Sequence, residues 1–195
     1  LFHDAGKAET THWEYKRGRM AVTSAGHDTA GEKLALRVFD RLKIHAWNGA
    51  DVRDLALRLI RTHHRAAELW NNRTIVTKKA FNRFAADTGG EFELAAVLDA
   101  ADRAGRAERP AAGLDREARW LLESMRKHNV SRETIRPLLQ GRDLLKLNVP
   151  PGPGMGKLLK DLYRRQLDNE FDTRAGALKA ARRLVREQRP AKERP

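Results

Sequence analysis

The chain has 195 residues, 39 Lys and Arg against 26 Asp and Glu, a net charge of +13 and no cysteine. That length can bury a sizeable core in one domain or two small ones. The missing cysteines exclude disulfides and thiolate metal sites and suit a cytoplasmic protein. No signal-like segment and no apolar run of about 18 residues is present, so no membrane span is expected. The positive excess favours a polyanionic partner.

In chain order, the first stretch with chemical content is Leu1-Phe2-His3-Asp4-Ala5-Gly6-Lys7. His3 offers a neutral nitrogen ligand, Asp4 an anionic oxygen ligand and Lys7 a point charge for a phosphate. No initiator Met precedes it and the opening is apolar, so the sequence is expected to be part of a longer protein. Next, Trp13-Glu14-Tyr15 and Met20-Ala21-Val22-Thr23 flank Lys16-Arg17-Gly18-Arg19, which predicts a β-hairpin over residues 12–24, the one sheet expected.

From Asp28 or Thr29 the pattern turns helical, with Leu34, Val38 and Leu42 on one side, and Asp28 is the expected cap with His27 before it. Asn48 reads as the N-cap of a following helix lined by Val52, Leu55, Leu59 and Ile60 and running to His63-His64. Further helices are predicted at Lys78–Ala86 and Phe92–Arg103, with Gly89-Gly90 in the turn between them. Pro110 and Gly113 mark a break over 106–113, taken as the domain boundary between residues 1–106 and 113–195.

Beyond it, Asp115 and Ser131 read as N-caps, the first for a helix carrying Trp120, Leu121 and Met125. The prolines of 148–154 predict a non-helical linker. Helices over Lys157–Leu167 and Thr173–Arg189 complete the chain, with disorder expected from Arg189 onward. Residues 174–195 hold eight Lys and Arg against two Glu, and Arg182, Arg183, Arg186 and Arg189 recur every three or four positions, the spacing of a phosphate-tracking stripe. The fold class is therefore all-α with one small hairpin.

Periodicity alone leaves two choices open. His63 falls in register with Leu55 and Leu59, while His64 follows Leu57 and Ile60 on an adjacent stripe. Asp99 and Asp102 are three residues apart and share a helix face. His12, His45 and His128 read as surface residues.

Several matches then fall in one order. Leu1–Lys7 resembles the signature of the HD phosphohydrolase superfamily, which places His and Asp on a helix as ligands of a divalent metal. Gly26-His27-Asp28-Thr29-Ala30-Gly31 and the helix ending Arg41-Leu42-Lys43 are similar to the segment that follows that signature in HD-containing CCA-adding tRNA nucleotidyltransferases. Val52–His64 resembles that family's next helix, and Ala101-Asp102-Arg103-Ala104-Gly105-Arg106 its final aspartate segment. Gly141-Arg142-Asp143-Leu144-Leu145 and Pro151-Gly152-Pro153-Gly154-Met155-Gly156-Lys157 are similar to the C-terminal region of these enzymes and of related poly(A) polymerases.

The resemblance implies an HD helical domain followed by a helical RNA-binding body and tail. It makes His3, Asp4 and Asp102 metal ligands, puts Lys7 near the substrate phosphate, and has His27 and His64 line the same pocket. The implied cofactor is Mg²⁺, Mn²⁺ or Ni²⁺, and the implied partner is tRNA or another RNA. The family has another His upstream of the signature, which this sequence does not include. The Gly-rich strand and paired carboxylates of nucleotidyl transfer are unmatched, so the chain by itself is not expected to add CCA. A free-standing HD phosphohydrolase acting on small nucleotides is the competing reading.

Overall fold

The computed structural model describes residues 2–106, 113–132 and 136–188. It is mostly helical, and among the described residues the one sheet is a two-stranded antiparallel hairpin. Residues 1–76 and 84–133 form one compact unit, and residues 77–83 and 134–195 form another.

The first unit begins with turns over residues 3–6 and a single helical turn, α1 (Lys7–Thr10). Strands β1 (His12–Lys16) and β2 (Arg19–Thr23) follow, with Trp13 opposite Val22 and Tyr15 opposite Met20. Arg17 and Gly18 both adopt positive φ, as the two central residues of a tight hairpin require. Helix α2 (His27–Leu42) starts at His27 behind Gly26 in the left-handed region, so Asp28 lies in the first turn and is not its cap. It buries Gly31, Ala35 and Phe39, one residue per turn.

Helix α3 (Val52–Thr62) is capped by Asp51, whose carboxylate accepts the Asp54 N–H. Asn48, the expected cap, instead sits at positive φ in the Trp47–Ala50 turn, where Asn tolerates the left-handed conformation. Phe39 and Ile60 join α2 to α3, with Phe2, Ile44, Ala56 and Leu57 packed around them.

Helix α3 stops at Thr62 and α4 (Arg65–Asn71) starts three residues later, a break the periodicity did not reveal. Helix α5 (Lys78–Asp87) and helix α6 (Phe92–Arg106) appear at the expected places, joined by the Gly89-Gly90 turn. Helix α7 (Arg116–Lys127), capped by Asp115, packs on α6 and α4 and buries Leu121 and Met125. Burying such a side chain contributes about 1.5–3 kcal/mol.

The helix expected after Ser131 falls partly on residues 133–135, outside the described residues, and 136–140 are non-helical. In the second unit, α8 (Gly141–Leu145) is closed by a capping box between Gln140 and Asp143. Asp143 also pairs with Arg174, and its carboxyl lies below the usual carboxylate range because it accepts the Gln140 N–H and faces that guanidinium.

Helix α9 (Pro153–Leu167) begins four residues earlier than expected. Pro153 takes the first helical position, where its missing N–H has no intrahelical partner to lose, so the proline stretch ends as a helix start. Helix α10 (Arg174–Gln188) is entered through Thr173, whose hydroxyl accepts the Gly176 N–H. Its Ala177, Ala181 and Leu184 pack against Leu144, Leu158 and Leu162. No helix among the described residues is long and apolar enough to cross a membrane.

Candidate metal centre

Four segments of the first unit supply the chemistry. His3 and Asp4 lie in the turns before α1, His27 opens α2, His63 and His64 occupy the α3–α4 break, and Asp102 projects from α6. Two glycines allow the first two segments to meet. A Cβ on Gly6 would overlap the His27 carbonyl and the Gly31 amide, and a Cβ on Gly31 would stand 3.3 Å from the Gly6 nitrogen. The backbones touch with no side chain between them.

The donor atoms converge. His3 Nε2 lies 3.1 Å from Asp102 Oδ1 and 3.5 Å from Asp4 Oδ2. His63 Nε2 lies 3.2 Å from both His27 Nε2 and His64 Nδ1. Asp4 spans the two sets, with Oδ1 3.6 Å from His27 Nε2 and 3.7 Å from His63 Nε2. Within His27, His63 and His64, and within His3, Asp4 and Asp102, one donor atom from each residue lies within 4.8 Å of the others. Ligands of one ion at about 2.1 Å stand roughly 3 Å apart, so these spacings are those of a coordinating set.

Hydrogen bonding fixes which nitrogens can coordinate. His27 Nδ1 lies 2.7 Å from the Ser24 carbonyl and His63 Nδ1 lies 2.7 Å from the Ile60 carbonyl. A carbonyl only accepts, so each Nδ1 must carry the proton, leaving each neutral ring an unprotonated Nε2. Those two lone pairs face each other at 3.2 Å with no proton to share. This arrangement repels unless a cation lies between them, and a carbonyl on the far nitrogen is how metal-ligating histidines are held. His3 Nδ1 is a further buried ring nitrogen without a hydrogen-bond partner.

The electrostatics agree. Burial, with His64, His27 and His3 close by, holds His63 below its usual value, despite the opposing Ile60 hydrogen bond, so it stays neutral. Burial pushes Asp4 up, but Lys7, His3 and His63 outweigh it and keep the carboxylate below its usual range. Nitrogen and carboxylate oxygen donors without sulfur are the chemistry of a divalent cation of borderline or hard character. The residues present fit such an ion.

Every sequence-predicted residue of this set, His3, Asp4, Lys7, His27, His64 and Asp102, sits in or beside the cluster, Lys7 donating to Asp4 Oδ2 at 2.6 Å. The open choice between His63 and His64 dissolves: the helix break frees both from a common helical rotation, and both rings enter. Of the two aspartates, Asp102 faces His3, whereas buried Asp99 is tied to Arg103. Asp28 Oδ2, 3.9 Å from His64 Nε2, is a neighbour of the site that the sequence marks as a helix cap and not as a site residue. His12 and His45 are exposed and His128 is half-buried. In the second unit Arg182, Arg183 and Arg186 are exposed on α10, and Arg189 lies outside the described residues.

No curated protein and no solved structure matches the chain. The HD domain matches residues 1–107, more than half of the chain and the stretch that supplies every donor of the cluster, and the chain therefore belongs to the HD domain family.

Proposed function

We propose that the chain hydrolyses phosphate esters at a divalent-metal centre held by His3, Asp4, His27, His63, His64 and Asp102. HD domains indicate a superfamily of metal-dependent phosphohydrolases, and the single observation that carries the reading here is the pair of unprotonated Nε2 atoms facing each other beside Asp4. The mixed nitrogen and oxygen donors suit Mn²⁺ or Ni²⁺, with Mg²⁺ the all-oxygen alternative. A bound ion would supply Lewis acidity toward a phosphoryl oxygen and make water nucleophilic near neutral pH. Ser24 and Ile60 hold His27 and His63 in the ligating tautomer. Lys7, half-exposed and bonded to Asp4, can turn its ammonium to a phosphate oxygen.

In its finer form, the chain is the HD and tRNA-binding portion of a CCA-adding tRNA nucleotidyltransferase, cleaving phosphomonoesters or 2′,3′-cyclic phosphodiesters. The order of sequence motifs supports this, as does α10: Lys179, Arg182, Arg183 and Arg186 line an open groove of about 800 Å³. Phosphate contacts of this kind position an RNA without reading its sequence. A free-standing hydrolase of small nucleotides is the second reading, favoured by a cluster lying wholly within the first unit.

One experiment addresses both. The full chain should hydrolyse bis(p-nitrophenyl) phosphate with Mn²⁺ or Ni²⁺ and stop in excess chelator; turnover indifferent to chelator contradicts the metal centre. Replacing Arg182, Arg183 and Arg186 by Ala should leave that turnover unchanged while flattening the salt dependence of tRNA binding, by roughly 0.7–0.9 in log–log slope per lost phosphate contact. Unaltered tRNA binding favours the free-standing hydrolase. Substitution is the right tool because deleting α10 would strip Ala177, Ala181 and Leu184 from the core.

A further inference from the structure

The β1–β2 hairpin is amphipathic the wrong way round for a ribbon that only needs to fold. Side chains alternate between its faces. One face carries Glu14, Ala21 and Thr23, all half-buried, with Thr23 donating to Glu14 and Lys16 paired with it at 2.8 Å. The other carries Trp13, Tyr15, Met20 and Val22, which are 68%, 69%, 56% and 56% exposed. These four form two directly opposed cross-strand pairs and so make one continuous apolar surface. A two-stranded hairpin gains little stability by itself, and contiguous apolar patches of this kind mark interaction sites.

The charges around the patch identify its occupant. Lys16, Arg17 and Arg19 crowd the turn. Lys16 and Arg19 oppose each other on the Glu14 face, whereas Arg17 sits in the turn itself and has no carboxylate partner among the described residues. Exposed aromatic faces beside an unneutralised guanidinium are what the bases and phosphates of a single strand require. Trp13 and Tyr15 stand two residues apart, about 7 Å along the strand, which leaves room for one base on each ring.

The position also matters. The hairpin begins after the single turn α1 that carries Lys7 and ends just before His27. Its base is closed by Thr11 Oγ1 and Ser24 Oγ at 2.8 Å, and the Ser24 carbonyl accepts the His27 Nδ1–H. From this base the strands extend about 17 Å, at 3.4 Å per residue.

We propose that the outward face of the hairpin is a stacking platform for the bases of a single-stranded nucleic acid, with Arg17 at the turn on its phosphates, so that the strand is held at the root of the metal centre. The inference deepens the phosphohydrolase reading, on which it rests for the bond cleaved, but strand binding itself needs no metal.

The test therefore begins in chelator, with anisotropy of a fluorescein-labelled oligoadenylate dodecamer titrated with the full chain. Trp13→Ala and Tyr15→Ala should each weaken binding by roughly ten-fold, the scale of one lost base stack. Trp13→Phe should hold most of the affinity and Trp13→Leu should lose it, because a base needs a π-face and not merely an apolar one. Arg17→Ala should lower the salt slope by about 0.7, for one phosphate released. In Mn²⁺, all of these variants should turn over bis(p-nitrophenyl) phosphate as the parent does, so loss of that activity in the parent would count against the metal centre and not against the platform. Equal affinity of the Leu and Phe variants, or unchanged dodecamer binding in Trp13→Ala, overturns the proposal. So does a parent chain that sediments as a dimer which Trp13→Ala dissociates, since the patch is then covered by a second copy.

Discussion

Asp4→Asn lowers Mn²⁺-dependent turnover of bis(p-nitrophenyl) phosphate by at least about 100-fold, the upper end of what even an outer partner of a metal ligand is worth. The change is nearly isosteric, so packing is preserved, but it removes the negative charge that both halves of the cluster share. Asp4 Oδ1 stands 3.6 Å from His27 Nε2 and 3.7 Å from His63 Nε2, while Oδ2 faces His3 and Lys7. An amide NH₂ in place of either oxygen points donors where a cation should sit, and it leaves the Lys7 ammonium without its carboxylate. Circular dichroism and Tm should stay close to the parent's, since Asp4 is partly exposed and Lys7 its one close cation. Turnover within about three-fold of the parent, less than even an outer partner's effect, would remove Asp4 from the ligand set.

Gly6→Ala is the second large effect and acts through the backbone. Gly6 has φ −66, which any residue adopts, so its requirement is space and not conformation. A methyl there would intrude on the His27 carbonyl and the Gly31 amide, two backbone groups of α2 that cannot swing aside. Forcing extra volume into a packed contact costs about 1–3 kcal/mol, and the relief available is to move the His3–Asp4 turns away from α2. The expected outcome is a lowered Tm together with loss of Mn²⁺ binding, as His3 and Asp4 part from His27. Gly105→Ala, where a Cβ meets open space, is the control and should change neither. An unperturbed Tm in Gly6→Ala would mean that the two segments are not so closely apposed.

Much of the fold was legible because local signals and burial agree. The apolar period of α2, the Asp115 cap of α7 and the turn residues between β1 and β2 each act over a few residues and each survive in the structure. The misses have tertiary or positional causes. Periodicity runs through Val52–His64 without a flaw, so the break after Thr62, and with it the entry of both histidines, is invisible until α4 packs on α7. Pro153 reads as a helix breaker but serves as a helix start. Asn48 and Asp51 are both good caps by type, and only the Trp47–Ala50 turn decides between them. Alternation in β1 and β2 predicts a two-faced ribbon, yet does not say that the apolar face is the one turned to solvent. The ligand set could be assembled from ordered motifs, whereas the tautomers of His27 and His63 depend on the Ser24 and Ile60 carbonyls and needed the structure.

The central claim is that this histidine and carboxylate cluster is a cation site, and protons should compete for it in a defined way. His63 lies below its usual value of 6.5, chiefly through burial. Between that lowered value and 6.5 the unfolded chain binds a proton that the folded chain does not, so folding stability is lost as pH falls through this window. Metal uptake, which needs the neutral His63 ring, should therefore weaken as pH falls through that window. Calorimetric titration of Mn²⁺ into the chelator-stripped full chain at neutral pH and at stepwise lower pH tests this most directly. Saturable binding at neutral pH that weakens with acid and disappears in His63→Ala is the predicted result; no saturable binding, or binding that His63→Ala leaves intact, would contradict it.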